Sequence, residues 1–387
     1  MPQTADALSP LKADSPKKVL FDAIQTVGKA VSPRSPLAIL NHMAIVADSG
    51  RITLMATDLE LWLSHSAATQ SITSYGAGTV PARNFTDLVS ALPDSDVQMA
   101  VDPETHTLTL KCNRATYKLL GLPHDEFPRI PQVKEDSKFT VDRATLRDAI
   151  KQTLFATSSD ETRAILTGVL MVYQGDSLRL VATDTHRLAV RDCAVHEGTG
   201  SATAIVPHRA MHELARIIST GEGTVSVTIS SNQIQFETTE PGETRITLIS
   251  RLIEGQFPNY ERVIPSQATR ILTLEREPLS QAVRRAAIVA RDAAHRIVLR
   301  TTEDGERLSI SAESGLVGNA YEEVEVARDG DLSPVEIAFN AKYLSDALAV
   351  IEGEGIKIEL TESLRPGVIR PTDNEGYLCV LMPMQVV

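Results

Sequence analysis

The chain has 387 residues, 42% of them apolar and 23% charged, with a formal net charge of −12 at neutral pH. Those totals fit a soluble protein of several globular domains, and no apolar run reaches the roughly 18 residues of a membrane span. The acidic balance argues against a nucleic-acid binder that uses its whole surface. Cys112, Cys193 and Cys379 stand alone without a CxxC pair, so neither a disulfide frame nor a thiolate metal site is expected, as in a reducing cytoplasm.

In chain order, residues 1–16 carry Pro2, Pro10 and Pro16 and no apolar run, and read as a mobile extension rather than a secretory signal. A helix is predicted over Lys17–Val31, an alternating strand over Arg51–Thr57 and a second helix over Arg83–Ala91. The series returns as a helix over Asp142–Thr157, with Leu146, Ala149, Ile150 and Leu154 on one stripe, a strand over Ser177–Thr183, a helix over His208–Ser219 and a strand over Val225–Ile229. It returns again as a helix over Glu277–Arg291, strand Arg307–Ala312, helix Ala341–Ile351 and strand Ile356–Leu360. Pro278 falls near the start of its helix, where a missing N–H costs nothing. Linkers are expected near Pro131–Lys138 and Pro265–Arg270.

Two short phrases recur with this series. Val80-Pro81-Ala82-Arg83, Val206-Pro207-His208-Arg209 and Phe339-Asn340-Ala341-Lys342 begin at 80, 206 and 339. Leu20-Phe21-Asp22-Ala23-Ile24, Leu146-Arg147-Asp148-Ala149-Ile150 and Leu279-Ser280-Gln281-Ala282-Val283 begin at 20, 146 and 279. Both sets are spaced by 126 and then 133 residues. Unrelated phrases that share both spacings define three copies of one domain, at 17–135, 136–268 and 269–387. Two helices and several antiparallel strands in each copy make the class α+β.

Charge is unevenly spread. Lys17, Lys18, Lys29, Arg143, Arg147, Lys151, Arg209, Arg216, Arg276, Arg284, Arg285, Arg291 and Lys342 lie on predicted helices or, for Arg276, just before one, while acids such as Glu322, Glu323 and Glu325 lie in strands and turns. Helices facing one way would give a positive face that holds phosphates without reading bases; the plainer alternative is a set of solvated helix faces.

Little in the chain looks catalytic. Asp184 and His186 are the exception, as a hydrolytic pair in Thr183-Asp184-Thr185-His186-Arg187-Leu188. The first copy reads Thr57-Asp58-Leu59-Glu60-Leu61 at the same place, without histidine, which favours a turn. His208 and His212 are four apart on a helix but lack a third ligand at a recognisable spacing. Neither GxGxxG nor a phosphate-loop motif occurs, and Trp62 is the one tryptophan, so no nucleotide cradle or base-stacking platform is expected. No catalytic residue, metal or cofactor is expected. The apolar end from Val380 to Val387 reads either as a buried last strand or as the wall of an apolar groove.

Four stretches carry a resemblance. Arg163-Ala164-Ile165-Leu166-Thr167-Gly168-Val169, Ala182-Thr183-Asp184-Thr185-His186-Arg187-Leu188-Ala189, the segment from Gly255 to Pro265, and Leu381-Met382-Pro383-Met384 together resemble the bacterial β sliding clamps, the processivity subunits of DNA polymerase III. The resemblance runs from Lys17 to Val386. It implies three clamp domains forming a crescent, half of a ring that a head-to-tail homodimer closes around duplex DNA without sequence preference. It implies no catalysis and a cytoplasmic setting. The implied partners are the polymerase catalytic subunit, the clamp loader, and other polymerases and repair proteins, each inserting a short peptide motif into a pocket. The matching pocket positions are Leu166, Thr183, Thr185, His186, Arg187 and Leu188; then Pro258, Arg262, Val263 and Tyr343; and finally Val380, Leu381, Met382, Pro383 and Met384. By the same resemblance Arg34, Arg83, Arg147 and Arg209 face the DNA, and Tyr117, Ile288 and Val289 fall at the subunit interface. Thr185 stands where the family's phrase carries glycine. A hydrolase using Asp184 and His186, and a tandem protein-interaction module that does not encircle DNA, are the alternatives.

Overall fold

The computed structural model describes residues 10–385. Its contacts fall into two compact units. One holds the chain up to Ala144 with Val195–Gly200 and His212–Leu252; the other holds Thr145–Ala194, Ser201–Met211 and the chain from Ile253. Three sequence copies therefore pack as two units, because strands pair across the copy boundaries. In the first unit Arg245–Ser250 of the middle copy pairs antiparallel with Leu61–Ser66 of the first. In the second unit Arg187–Arg191 of the middle copy pairs antiparallel with Tyr377–Leu381 of the third. Each pairing completes a nine-stranded sheet. The first unit also holds a five-stranded sheet, and the second a four-stranded one.

Six α-helices lie among the described residues: α1 Lys17–Val27, α2 Ala82–Ala91, α3 Arg143–Leu154, α4 His208–Ile217, α5 Arg276–Ala290 and α6 Ala341–Val350. They sit where the apolar stripes predict. α1 buries Leu20, Ala23, Ile24 and Val27, spaced as one helical face, and packs on α2. It ends short of the expected Val31 because the chain tightens into a 3₁₀ turn over Gly28–Ala30. α5 buries Leu279, Ala282, Val283, Ala286 and Ala290 and packs on α6. Each large aliphatic side chain buried this way contributes about 1.5–3 kcal/mol before the entropy of ordering is subtracted.

The first repeated phrase is a strand-to-helix junction. Pro81 and Pro207 end strands Gly76–Pro81 and Ser201–Pro207, and a helix begins at the next residue. The third copy has Asn340 there, whose side chain accepts from the N–H groups of Lys342 and Tyr343 at 2.9 and 3.4 Å and caps α6.

The mobile extension is corrected in part. Leu11–Pro16 is a strand, held between Ser71–Ser74 and Asp96–Val101 in the five-stranded sheet. Leu11, Ala13 and Ser15 turn inward in alternation, a period-two pattern that the flanking prolines conceal. Residues 1–9 of that expected extension lie outside the described residues.

The first unit contains a buried histidine with a consequence for stability. His65, on strand Leu61–Ala68, is 5% exposed, and its Nδ1 is buried without a partner. Burial, with the charge of Arg51 adding to it, pushes its pKa down to about 4. The unfolded chain takes up this proton near pH 6.5 and the folded chain only near pH 4, so stability falls as pH drops through that window. A shift of that size corresponds to about 3 kcal/mol at the acid end. Urea unfolding midpoints from pH 7 to 4 should decline more steeply for the natural chain than for His65→Leu; parallel curves would refute the assignment.

Candidate functional site

The site is built on a hairpin of the second unit. Strands Ser177–Thr183 and Arg187–Ala194 are joined by Asp184-Thr185-His186. Asp184 Oδ1 accepts from the N–H groups of His186 and Arg187 at 2.9 and 3.0 Å, and Thr183 Oγ1 accepts from the N–H of Thr185 at 3.1 Å. The first unit repeats this pattern: Asp58 Oδ1 accepts from Glu60 and Leu61, and Thr57 Oγ1 from Leu59. Asp184 is therefore a turn-forming residue. Its Oδ2 accepts from Arg187 Nε at 3.0 Å, while the His186 ring stacks on Tyr343 with centroids 6.2 Å apart. The hydrolytic reading is corrected on this geometry: the carboxylate is taken up by backbone amides and a guanidinium.

Arg187 is the centre of the arrangement. It is 7% exposed. It donates to Asp346 of α6 at 2.6 Å and to the carbonyl of Phe155, in the turn after α3, at 2.5 Å. Its guanidinium lies over the rings of Tyr343 and Phe155, 4.5 and 5.1 Å from their centroids. The cation thus ties the hairpin to α6 through charge-assisted bonds and stacking.

A groove of about 160 Å³ opens beside this hairpin. Its walls bring together Leu166, Thr183, Thr185, Arg187, Leu188, Pro258, Val263, Val380 and Met382, all of them sequence-expected positions. Asn259 and Tyr260 line it too and were missed, although both sit inside the stretch that carried the resemblance. Tyr260 packs edge-on to Phe257, with centroids 6.5 Å apart. The other expected positions lie elsewhere. Leu381 is 1% exposed: strand alternation turns it away from the face that Val380 and Met382 present. His186 and Tyr343 stack on each other next to Arg187. Arg262 is exposed on the 3₁₀ turn Tyr260–Val263, and Pro383 is half-buried. Met384 leaves the groove, its N–H donating to the carbonyl of Ala338 at 2.8 Å.

Thr185 is held at φ +80°, a region where a β-branched residue is a steric outlier and glycine is not. Thr185→Gly should relieve this strain, stabilising the chain by about 1 kcal/mol after glycine's own entropy cost, and remove one side chain from the groove wall. A lower melting temperature for Thr185→Gly would contradict the strain argument.

Several of the helix cations are buried or paired rather than solvated. Arg143 is 2% exposed and donates Nη2 to the Ile217 carbonyl at 2.8 Å. Arg285 is bonded to Glu322 at 2.7 Å, and Arg276 to the carbonyl of Gly353 at 3.0 Å. Among the expected DNA-facing cations, Arg83 is 94% exposed on α2 with Asp87 4.0 Å away. Arg34 is exposed in the turn before the Ala38–Asn41 3₁₀ helix, and Arg209 is exposed on α4. Arg147 is half-buried and 2.9 Å from Asp148. His208 Nδ1 pairs with Thr157 Oγ1 at 2.8 Å, and His212 lies 3.4 Å from Glu213. Tyr117 and Ile288 are exposed, and Val289 is half-buried. No helix among the described residues is long and apolar enough to cross a membrane.

The comparisons with known proteins agree from residue 15 to residue 385. Residues 15–131, 140–259 and 261–385 match the N-terminal, central and C-terminal domains of the DNA polymerase III beta subunit. The beta sliding clamp of Staphylococcus epidermidis is 30% identical over 364 residues, covering 92% of this chain and 94% of that protein. That of Staphylococcus aureus is equally similar. The crystal structure of the Bacillus subtilis DNA polymerase sliding clamp superposes with a TM-score of 0.90 at 28% identity, covering 97% of this chain and all of that one. The Pseudomonas aeruginosa sliding clamp bound to griselimycin does so with a TM-score of 0.90 at 30% identity and the same coverage. With all three domains matched in order, the chain belongs to the DNA polymerase III beta subunit family, the bacterial β sliding clamps, which are non-catalytic processivity factors of DNA replication.

Proposed function

We propose that two copies of the chain close head to tail into a ring around duplex DNA, and that the groove of the second unit receives a short peptide from replication and repair proteins. One observation carries the ring. Each nine-stranded sheet consists of four strands from one copy joined to five from the next, and the chain is left with the five-stranded sheet of the first copy and the four-stranded sheet of the third. Each leftover sheet ends in an edge strand with exposed residues, Ala115–Leu120 and Gly318–Glu325. Two chains bring four nine-stranded sheets; joining these edges makes a fifth of the same kind, and the reciprocal contact makes a sixth and leaves none of these edge strands unpaired. The charges are complementary: Lys118 lies on one edge strand and Arg114 in the turn that leads into it, and Glu322, Glu323 and Glu325 lie on the other. Tyr117 lies on the first edge strand, and Ile288 and Val289 lie on α5, which Arg285 ties to Glu322 of the second.

In that assembly Arg34, Arg83, Arg147 and Arg209 face the duplex and hold phosphates without reading bases, so the protein slides. Topology, not tight grip, retains it. The groove offers apolar walls in Leu166, Leu188, Val263, Val380 and Met382, with Thr185 and Arg187 as polar neighbours. It suits aliphatic or aromatic side chains of an extended peptide carried by the polymerase catalytic subunit, the clamp loader and other polymerases and repair proteins in the cytoplasm. Sedimentation of the intact protein should give a particle of about twice the chain mass. Once loaded, it should stay on closed circular duplex and leave when the circle is cut. A monomer, or equal retention on linear DNA, would overturn the proposal.

A further inference from the structure

We propose that the first unit carries a second peptide-binding pocket, an internal counterpart of the groove in the second unit, and that its ligand is a short acidic peptide with one apolar side chain; the choice of ligand class rests on the groove reading above. The correspondence is one of register. In the second unit Leu188 pairs with Val380 across the copy boundary; in the first, Trp62 pairs with Ile249. Trp62 precedes Leu188 by the 126 residues that separate the first two copies. The connecting segments match as well: Phe127-Pro128-Arg129-Ile130 parallels Phe257-Pro258-Asn259-Tyr260, which sets Ile130 and Val133 against Tyr260 and Val263. A cavity of about 360 Å³ in the first unit is lined by these four counterparts, Trp62, Ile130, Val133 and Ile249. It is larger than its equivalent of about 160 Å³.

The differences specify the ligand. Beyond the four apolar residues the wall runs on through Ser64, Gln235, Glu237, Arg245 and Thr247, so this pocket is more polar than the groove. Trp62 is 8% exposed, and its Nε1 is buried with no hydrogen-bond partner. Ile130 is 38% exposed, an apolar side chain open to solvent. Arg245 is 62% exposed on its side chain and sits at 3.4 Å from Glu237, a loose pair that leaves donors available to an incoming carboxylate. An extended peptide meets two demands: an aliphatic or aromatic side chain against Trp62, Ile130 and Ile249, and an acidic side chain for Arg245.

Trp62 is the one tryptophan of the chain, so its emission reads this pocket alone. The intact protein is titrated with the blocked peptide acetyl-Glu-Leu-Leu-Glu-amide, with calorimetry in parallel to count every site. A saturable change in emission is expected, weakened about tenfold in Arg245→Ala and unchanged in Met382→Ala, which alters only the groove of the second unit. Circular dichroism of Arg245→Ala, an exposed position, checks that its fold is intact. Calorimetric binding without an emission change, or an emission change that Met382→Ala abolishes and Arg245→Ala leaves intact, would overturn the second pocket while leaving the groove reading in place. Binding lost in Arg245→Ala but kept in Met382→Ala would support the second pocket even if the groove reading failed. Absence of any saturable signal by either method would overturn the second pocket.

Discussion

Replacing Arg187 with alanine is expected to destabilise the protein by about 3 kcal/mol and to weaken peptide binding in the groove with it. The side chain is 6% exposed and faces Asp184, 13% exposed, and Asp346, 32% exposed. Without the guanidinium, Asp184 keeps its two backbone donors but loses its counter-charge in a place water barely reaches. The Phe155 carbonyl loses its donor, and the Tyr343 and Phe155 rings lose the flat cation between them. Asp346 suffers less, because it is partly solvated and Lys342 lies 4.0 Å away on α6. That relief sets the estimate at the low end of the roughly 3–5 kcal/mol seen when one partner of a buried pair is removed. Arg187→Lys should recover less than half of the loss: an ammonium restores the charge but not the planar fork that serves Asp184, Asp346 and Phe155 together. Urea unfolding of the three proteins checks this. A shift in Arg187→Ala below about 1 kcal/mol would mean that the network is solvated and the groove edge is held otherwise.

The helices and most strands were legible because their signals are local. Leu20, Ala23, Ile24 and Val27 fall on one face whatever the rest of the chain does. The repeated phrases located the strand-to-helix junctions for the same reason. Contacts that depend on distant register were not legible. Nothing in a local window says that Trp62 pairs with Ile249, or that Leu188 pairs with Val380. Those pairings make three copies pack as two units.

Charge misled in a specific way. Arg143 reads as a surface cation, yet it is buried because the Ile217 carbonyl at the end of α4 accepts from it. Arg187 stands among the expected pocket positions as a cation, yet two carboxylates and a carbonyl draw it inside. In both cases a partner that makes burial tolerable lies far away in sequence, Ile217 for Arg143 and Asp346 for Arg187. The groove walls at Val380 and Met382 followed from the resemblance, and simple strand alternation would have removed Leu381 from that set. Asn259 and Tyr260 had no separate signal beyond membership of the stretch from Gly255 to Pro265.

Ile288→Asp should convert the assembled protein into monomers without unfolding it. The core-facing stripe of α5 is Leu279, Ala282, Val283, Ala286 and Ala290, and Ile288 lies off it with 62% of its surface exposed. Nothing in the chain's own fold needs that side chain, so the substitution should leave monomer stability within about 0.5 kcal/mol. In the proposed ring the same side chain is covered by the partner's five-stranded sheet. A carboxylate there loses its water and adds to the negative charge of Glu322, Glu323 and Glu325 on the neighbouring strand. A cost of about 3 kcal/mol per contact is reasonable for an unpaired buried charge. A ring of two uses the contact twice, so the total approaches 6 kcal/mol, a weakening of about 10⁴-fold in the dimer dissociation constant. Leu364→Asp makes the proper control, since Leu364 is also an exposed apolar residue, at 70%, and lies on neither edge strand nor on α5. Sedimentation across a concentration series should show a monomer for Ile288→Asp and an undisturbed dimer for Leu364→Asp. If both variants sediment like the natural chain, the two leftover sheets do not meet at α5, and the ring must close by some other contact.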